Sequence, residues 1–298
     1  MAAPHPAPAL ADLIIDWFAQ ARRDLPWRAP DASPWAILVS EVMLQQTPVA
    51  RVRPAYHAWL SRWPDAAALA VDPAAEAVRM WGKLGYPRRA LRLHECARTL
   101  VARFDGAVPD SVEELLTLPG VGAYTARAVA TFAFGQRHPV VDTNVRRAVA
   151  RAVRGVADPG PPSTRRDLDA VAALLPASVP AAVSFSAGLM ELGAVVCSAR
   201  NPGCDGCPVR DLCAWRRAGY PAYTGPPRAR QRFEGTDRQV RGRLLDVLRA
   251  SPEPVGATAL DLAWPLADQR ARALDSLVAD GLIDPLPDGR FALPGHAP

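Results

Sequence analysis

Four cysteines lie within 17 residues of this 298-residue chain, with six, two and five residues between successive members. They are Cys197, Cys204, Cys207 and Cys213. Four thiolates in so short a segment can close around one compact metal centre, whereas a secreted disulfide framework would spread its cysteines along the chain. Zinc is an alternative occupant, because four thiolates also suit tetrahedral zinc, although zinc ribbons usually show two CxxC pairs and this segment has one. The spacing therefore indicates an intracellular protein with a metal-bearing loop.

Helical patterns separated by Pro, Gly and Asp fill the chain up to about residue 220. No convincing alternation of polar and apolar residues, which would indicate strands, comes before residue 285. The expected fold is therefore all-α. The predicted helices cover residues 10–23, 35–46, 49–63, 73–82, 86–104, 111–117, 123–133, 143–153, 164–175 and 180–192.

The remainder of the chain predicts a second, smaller module. Residues 221–236 are rich in Pro, Gly and Arg and are typical of a linker. Three helices and two short extended segments around a Pro-Asp-Gly turn should follow, which is the order of a winged helix-turn-helix. The helices are predicted at 237–250, 256–264 and 267–281. We thus expect a helical core at 1–220, including the cysteine loop, and a winged-helix-like module at 237–298.

Composition limits the class of partner. The formal net charge of +5 favours a polyanion, and almost all of the positive charge is arginine, since Lys83 is the only lysine. No segment approaches the roughly 18 apolar residues that a membrane span needs. The chain is therefore expected in the cytoplasm, and nothing in the sequence demands more than a monomer.

A glycine-rich turn precedes the helix predicted at 123–133. Leu118–Ala126 has the sequence LPGVGAYTA, with Val121 between Gly120 and Gly122. Paired glycines before a helix let backbone N–H groups point outward at its positive end, which forms a ready phosphate site. Such a helix-hairpin-helix holds the DNA backbone without selecting a sequence. The alternative is an ordinary connection between two helices.

Two carboxylates have patterns typical of glycosidic chemistry. Glu41 stands in the apolar segment WAILVSEVMLQQ, where burial would raise its pKa towards the range that suits a general acid. The alternative places Glu41 on a solvated stripe of that helix. Asp142 precedes a predicted helix and could simply cap it. Two separated carboxylates, one as an acid and one that stabilises a cationic sugar, are the groups that glycosidic cleavage uses.

In combination, these motifs resemble those of the MutY adenine DNA glycosylases, within the helix-hairpin-helix superfamily that includes endonuclease III. The resemblance covers roughly residues 12–220. Besides the cysteines and the glycine-rich turn, it rests on 25–28 (LPWR), 40–47 (SEVMLQQT), 81–86 (WGKLGY) and 142–145 (DTNV). It implies a [4Fe–4S] cluster on the four cysteines. It also implies that the substrate is double-stranded DNA containing an adenine mispaired with 8-oxoguanine or guanine, and that the protein is associated with the nucleoid.

The resemblance also implies roles for individual residues. Glu41 would protonate the adenine at N7 and help activate water, Asp142 would stabilise the sugar cation, and Tyr124 and Asn144 would support these carboxylates. Base extrusion needs residues that fill the gap in the duplex and a pocket for the flipped base. The implied residues that enter the duplex are Gln45, Gln46 and Tyr86. The implied pocket residues are Arg23, Trp27 and Arg28.

Two further expectations depend on this resemblance. Relatives that also cut the strand use a lysine just after the hairpin, where this chain has Tyr124, so we predict a monofunctional enzyme. Typical MutY proteins carry a C-terminal domain related to the Nudix hydrolases that recognises 8-oxoguanine. Residues 237–298 instead predict a winged-helix-like module, which leaves the preference for 8-oxoguanine over guanine open.

Two other functions fit parts of the pattern. A glycosylase of the same fold could remove thymine or uracil opposite guanine, although an acid such as Glu41 suits a purine leaving group better. An iron–sulfur DNA-binding regulator could use the winged module to recognise operators. The presence of both Glu41 and Asp142 argues against the regulator.

Overall fold

The computed structural model describes residues 7–225 and 232–295. Helices dominate these residues, and the strands Asp284–Pro285 (β1) and Phe291–Ala292 (β2) pair as one short antiparallel hairpin. The predicted all-α class is confirmed. Part of the predicted linker, residues 226–231, lies outside the described residues. Within those residues, no helix is both long and apolar enough to cross a membrane.

The helices follow the predicted order closely. They are α1 (Ala7–Ala21), α2 (Pro34–Leu44), α3 (Val49–Arg62), α4 (Ala66–Val71), α5 (Ala74–Trp81), α6 (Arg88–Phe104), α7 (Val112–Leu115), α8 (Ala123–Phe134), α9 (Thr143–Ala152), α10 (Thr164–Ala172), α11 (Val179–Val195), α12 (Ala214–Arg217), α13 (Asp237–Ala250), α14 (Ala257–Ala263) and α15 (Ala267–Ala279). Short 3-10 turns cover Pro26–Arg28 and Cys204–Gly206.

The four-residue helix α12 was not predicted, and neither was helix α4. Helix α4 has only six residues, AAALAV, which is too short to show a helical period. Its start is fixed by Asp65, whose side chain accepts a hydrogen bond from the Ala68 N–H at 2.8 Å. Leu69 then enters the core of its unit, so one cap and one buried side chain suffice to hold this turn.

The chain forms two compact units, each assembled from separate segments. The first comprises residues 1–32, 110–116 and 122–227, and the second comprises 33–109, 117–121 and 228–298. In the second unit a cluster of tryptophans fills the core. Trp59 lies edge-on to Trp63 at 4.6 Å and to Trp81 at 5.6 Å between ring centroids.

The core of the first unit depends on close helix packing around α11. Phe185, Leu189 and Leu192 of this helix are buried against apolar residues of α1 and α9. Gly188 allows α1 to approach, because a Cβ there would lie 2.8 Å from Cγ2 of Ile14. This packing places α1, α9 and α11 of the first unit side by side.

Candidate active site

Glu41 lies on α2, a helix that is buried along almost its whole length. Ser33 caps the helix by accepting a hydrogen bond from the Ala36 N–H at 3.2 Å, and Pro34 occupies its first turn, as helix starts prefer. Every residue from Trp35 to Met43 is buried, and Glu41 is 5% exposed. The solvated-stripe alternative for Glu41 is therefore wrong. The fold therefore keeps this side chain away from bulk water.

Arg89, which sequence reasoning missed, fixes the end of the same helix. Its Nη1 donates to the main-chain oxygens of Val42, Met43 and Gln45 at 2.8, 3.1 and 2.6 Å. These oxygens belong to the C-terminal end of α2, where carbonyls lack partners within the helix and attract a cation. Burial lowers the pKa of Arg89 to about 10. The Arg89 guanidinium thus supplies the donors that a further helical turn would have given to these carbonyls of α2.

The same guanidinium joins two loops that carry predicted duplex-entering residues. Its Nη2 donates to Thr47 Oγ1 at 2.9 Å in one loop and to the Gly85 oxygen at 3.0 Å in the other. Gln46 and Tyr86, which belong to these loops, both have left-handed backbones, with φ of +56° and +48°. Gln46 is exposed, Gln45 is half-buried, and Tyr86 is 45% exposed. Left-handed turns are costly for such side chains and often mark functional loops.

In the glycine-rich turn, Gly120 has the left-handed conformation that favours glycine. Gly120 has φ of +78°, and a Cβ there would lie 2.8 Å from Cβ of Arg92 on α6. The Val121 N–H donates to the Leu118 oxygen at 3.1 Å, so it closes the turn itself. In the other unit, Gly122 precedes α8 as its N-cap, and Tyr124 is half-buried in the first turn of that helix. The N-terminus of α8 is where an anion would be favoured.

Asp142 caps a helix with one carboxylate oxygen and accepts a side-chain hydrogen bond with the other. Oδ1 accepts from the Val145 N–H at 2.7 Å, as expected of the N-cap of α9. Oδ2 accepts from Asn144 Nδ2 at 2.9 Å. Burial raises the pKa of Asp142, against the lowering effect of these hydrogen bonds. The capping alternative is thus correct as geometry, and it leaves the carboxylate oriented by Asn144.

Arg147 extends this network to the cysteine loop and was also missed from the sequence. Its Nη2 donates to Asn144 Oδ1 at 2.8 Å and to the Gly193 oxygen at 2.7 Å. Its Nε donates to the Cys197 oxygen at 2.8 Å. A Cβ on Gly193 would lie 2.8 Å from Cβ of Asn144, so only glycine permits this approach of α11. Asp142 is thereby linked through two side chains to the first cysteine of the loop.

The predicted base-pocket residues Arg23 and Arg28 meet at a carboxylate that sequence reasoning did not single out. Glu191 on α11 is 1% exposed and accepts from Arg23 Nε at 2.7 Å and Arg28 Nη2 at 2.9 Å. Burial opposes its ionisation, but these hydrogen bonds outweigh burial and lower the pKa of Glu191 to about 2. Trp27, between the arginines in sequence, is buried. A lone glutamate in the apolar helix α11 is the same sequence signal that identified Glu41.

The four loop cysteines are free thiols that all line one small cavity. Burial raises the pKa of the Cys207 thiol to about 11, with further raising effects from the neighbouring cysteines. Arg151, 5% exposed, donates to the Ser198 oxygen at 2.7 Å and to Cys197 Sγ at 3.4 Å. Four free thiols that line one cavity beside a cation are the donor set that a thiolate-bound metal group needs. In the described residues, no three His, Cys, Asp or Glu side chains lie close enough together to hold a metal ion as they stand.

Comparisons with known proteins identify the family of this chain. Residues 39–173 match the family model described as HhH-GPD superfamily base excision DNA repair protein. The adenine DNA glycosylase of Mycobacterium tuberculosis (strain ATCC 25618 / H37Rv) is 60% identical over 285 residues, covering 95% of this chain and 93% of that protein. The chain belongs to the adenine DNA glycosylase family. This membership confirms the family resemblance that its motifs carry.

Other relatives show how far the family resemblance extends. The human adenine DNA glycosylase is 41% identical over 213 residues, which cover 68% of this chain and 39% of the human protein. A solved thermostable thymine-DNA glycosylase aligns with a TM-score of 0.65 at 28% identity, covering 71% of this chain and 97% of that chain. The expected helix-hairpin-helix glycosylase fold is therefore confirmed, and as a family member the chain is a hydrolase of N-glycosyl bonds.

Proposed function

We propose that this chain excises adenine mispaired with 8-oxoguanine or guanine in double-stranded DNA, as the first step of base excision repair. The observation that carries the proposal is Glu41, a carboxyl group buried on the apolar helix α2. Burial disfavours the charged form of a carboxyl group and so suits a general acid. Adenine becomes a better leaving group when it is protonated, and N7 is the atom we expect Glu41 to protonate.

Asp142 and Asn144 complete the proposed chemistry. As the N-glycosidic bond breaks, the deoxyribose approaches an oxocarbenium ion, and an oriented carboxylate stabilises that positive charge. The Asn144 amide donates to Oδ2 of Asp142 at 2.9 Å and fixes its direction. Water activated by Glu41 then adds to the sugar carbon, and an abasic site remains. Tyr124 is the proposed support of the acid.

Extrusion of the adenine is assigned to the two loops that Arg89 joins. Gln45, Gln46 and Tyr86 would enter the duplex where the base leaves, and Gly120, Val121 and Gly122 would hold the phosphate backbone. The flipped adenine would enter a pocket beside Arg23, Trp27 and Arg28. Because Glu191 holds both arginines, they would present fixed donors and not mobile charges.

The four cysteines are proposed to hold a [4Fe–4S] cluster, whose role is to fix the loop 197–213. The thiols converge on one cavity, and Arg151 and Arg147 hold the loop backbone from α9. Purified protein should contain about four iron and four sulfide per chain, since four thiolates bind one such cluster. One tightly bound zinc per chain, with no iron, would assign the loop to zinc instead. Cys204→Ser should lower the metal content under either assignment.

The arrangement of the chain is also a proposal. We assign the glycosylase core to residues 1–220, a linker to 221–236 and the winged-helix-like module to 237–298. The protein would act as a monomer on nucleoid DNA in the cytoplasm, since one duplex lesion needs one site.

The test of the function is single-turnover excision on four duplexes that differ only in the base opposite one adenine. Fast release opposite 8-oxoguanine and guanine, with adenine–thymine and adenine–cytosine slower by orders of magnitude, is expected. The ratio of the first two rates measures the preference for 8-oxoguanine. Absence of release from both mispairs, with activity on thymine or uracil opposite guanine, would replace adenine with a pyrimidine as the substrate.

A further inference from the structure

The C-terminal module, residues 237–298, is joined to the rest of the second unit by an exchange of arginines between two helix ends. Arg79 of α5 donates to the main-chain oxygen of Ser251 at 2.8 Å and also to that of Arg249. Arg249 of α13 donates in return to the Val78 oxygen at 2.9 Å. The last carbonyls of a helix have no partners within it, so each helix supplies the donor that the other lacks. This exchange fixes α13 against α5.

Two ion pairs continue this contact on either side of the turn that carries Tyr86. Lys83, before Tyr86, lies 3.7 Å from an Asp246 oxygen of the module. Arg88, after Tyr86, lies 3.2 Å from Asp280, which also accepts from Arg241 at 2.5 Å. Each exposed pair contributes little alone. Together they join Lys83 and Arg88, on either side of Tyr86, to the C-terminal module.

The module also reaches the Tyr86 side chain. The Arg238 guanidinium of α13 lies 5.2 Å from the centroid of the Tyr86 ring, and the Arg89 guanidinium lies 5.5 Å from it. Two cations at this distance hold an aromatic ring through its electron-rich face. Tyr86 needs such support because its backbone has φ of +48° and its side chain is 45% exposed.

The charge of the module does not suit a DNA reader. Residues 237–298 contain seven arginines and nine aspartates and glutamates, which give a formal charge of −2. Since the whole chain carries +5, residues 1–236 carry +7. A winged helix that binds DNA needs a basic face towards the phosphates. Five of the seven arginines instead pair with carboxylates of the module itself. They are Arg241, Arg249, Arg270, Arg272 and Arg290.

We propose that the C-terminal module is a brace that positions Tyr86 for entry into the duplex, with Arg238 as the positioning residue. The inference rests on the role of Tyr86 in the proposed function and assigns to the module a task within that reaction. Arg238 acts through Tyr86 and touches neither the adenine nor the sugar in this account. The module therefore affects extrusion of the base and leaves overall DNA affinity largely unchanged.

The first experiment compares Arg238→Ala with Arg243→Ala, an exposed arginine on the same helix, in the full-length protein. A 2-aminopurine beside the target adenine reports unstacking, and single-turnover excision is measured at saturating enzyme. Arg238→Ala should lower both the unstacking signal and the excision rate about two- to fivefold, the value of one exposed cation–π contact. Its Kd for the duplex should change less than twofold. Arg238→Lys, which retains a cation, should restore most of the rate, and Arg243→Ala should match wild type.

The second experiment removes an acid from the module. Asp280→Asn weakens the bridge between Arg88 and Arg241 and makes the module less negative. A brace predicts slower unstacking and excision at saturation with equal or tighter DNA binding. A module that contacts phosphates predicts tighter binding with an unchanged rate at saturation. The brace is also refuted if both arginine variants weaken Kd and reduce its salt dependence while the rates at saturation stay at wild type.

A double-mutant comparison connects the effect to Tyr86. In a Tyr86→Ala background, Arg238→Ala should cause no further loss of unstacking, since coupled residues are not additive. A full additional loss would show that Arg238 acts elsewhere and overturn the inference. Unstacking is recorded independently of base release. Wild-type enzyme that unstacks the duplex but releases no adenine would therefore refute the proposed reaction alone.

Discussion

Asn144 donates a hydrogen bond to one oxygen of Asp142 at 2.9 Å, while the other oxygen caps helix α9 through the Val145 N–H. This relationship separates the two tasks of one carboxylate. One oxygen caps the helix, and the other, oriented by Asn144, is the oxygen that we propose stabilises the sugar cation. The same Asn144 is held by Arg147, which also holds the backbone of Cys197.

Replacement of Asp142 by Asn should separate these tasks. Asparagine caps helices as well as aspartate does, so α9 should remain capped. Burial raises the pKa of Asp142, which means that the folded protein disfavours its charge. The amide should therefore match or exceed wild type in the free energy of unfolding at pH 7. The excision rate should fall by about 10²-fold or more, because a neutral amide stabilises a sugar cation poorly.

The control for this variant is Asp142→Ala, which removes the cap as well as the charge. It should lose about 1 kcal/mol of stability relative to Asp142→Asn. Urea unfolding and single-turnover excision measure the two effects separately. Asp142→Asn with wild-type excision would remove Asp142 from the reaction.

The buried cluster of Arg23, Arg28 and Glu191 predicts a pH dependence of stability. The pKa of Glu191 is lowered to about 2 in the folded protein, so its ion pairs stabilise the fold above the pKa of about 4.3 that a glutamate has when unfolded. This stabilisation should disappear as the pH falls from about 5 to 2, at a cost of about 3 kcal/mol. Glu191→Gln should be less stable than wild type at pH 7 and should show a weaker loss over that range. Parallel stability curves for the two proteins would contradict the ion-pair account.

Gly120 and Gly122 are a matched pair for testing the glycine-rich turn. Gly120→Ala combines a left-handed backbone with a contact of 2.8 Å to Arg92, so it should cost about 2 kcal/mol or more. Gly122 has φ of −98° and open space where a Cβ would lie, so Gly122→Ala should cost less than about 1 kcal/mol, the loss of a favourable N-cap. Chemical denaturation of both variants gives the comparison. Equal losses would show that the turn is not strained at Gly120.

The enzyme should release adenine without cutting the strand. Tyr124 occupies the first turn of α8, where a lysine would be needed, and the chain's single lysine, Lys83, is 84% exposed and pairs with Asp246. A Schiff base requires an amine at the sugar. Borohydride should therefore trap no covalent complex, and strand breaks should appear only after alkali or heat. Trapping that disappears in a Lys83→Arg variant would reverse this prediction.

Features that depend on local sequence were predictable. The apolar segment around Glu41, the paired glycines at 120 and 122, and the spacing of the cysteines each encode their structure within about 20 residues. The helices of the core follow the same rule, except α4 and α12, whose six and four residues are too few for a period to appear.

Contacts that join distant segments were not predictable. Arg28 and Glu191 are 163 positions apart, and Arg79 and Arg249 are 170 apart. A guanidinium that donates to main-chain carbonyls, as Arg79 and Arg89 do, needs no particular partner side chain and so leaves no pattern in the sequence. Docking of the module on α5 is built from such contacts, which explains why its order of elements was predictable and its role was not.

The central claim is that Glu41 supplies the proton that releases adenine. The most direct measurement compares wild type with Glu41→Gln in single-turnover excision from an adenine–8-oxoguanine duplex at saturating enzyme. Glutamine keeps the shape of the side chain but carries no acidic proton, so the rate should fall by about 10²- to 10⁴-fold while the Kd for the duplex stays within severalfold. A Glu41→Gln enzyme that is folded, binds the duplex and excises adenine at the wild-type rate would contradict the account.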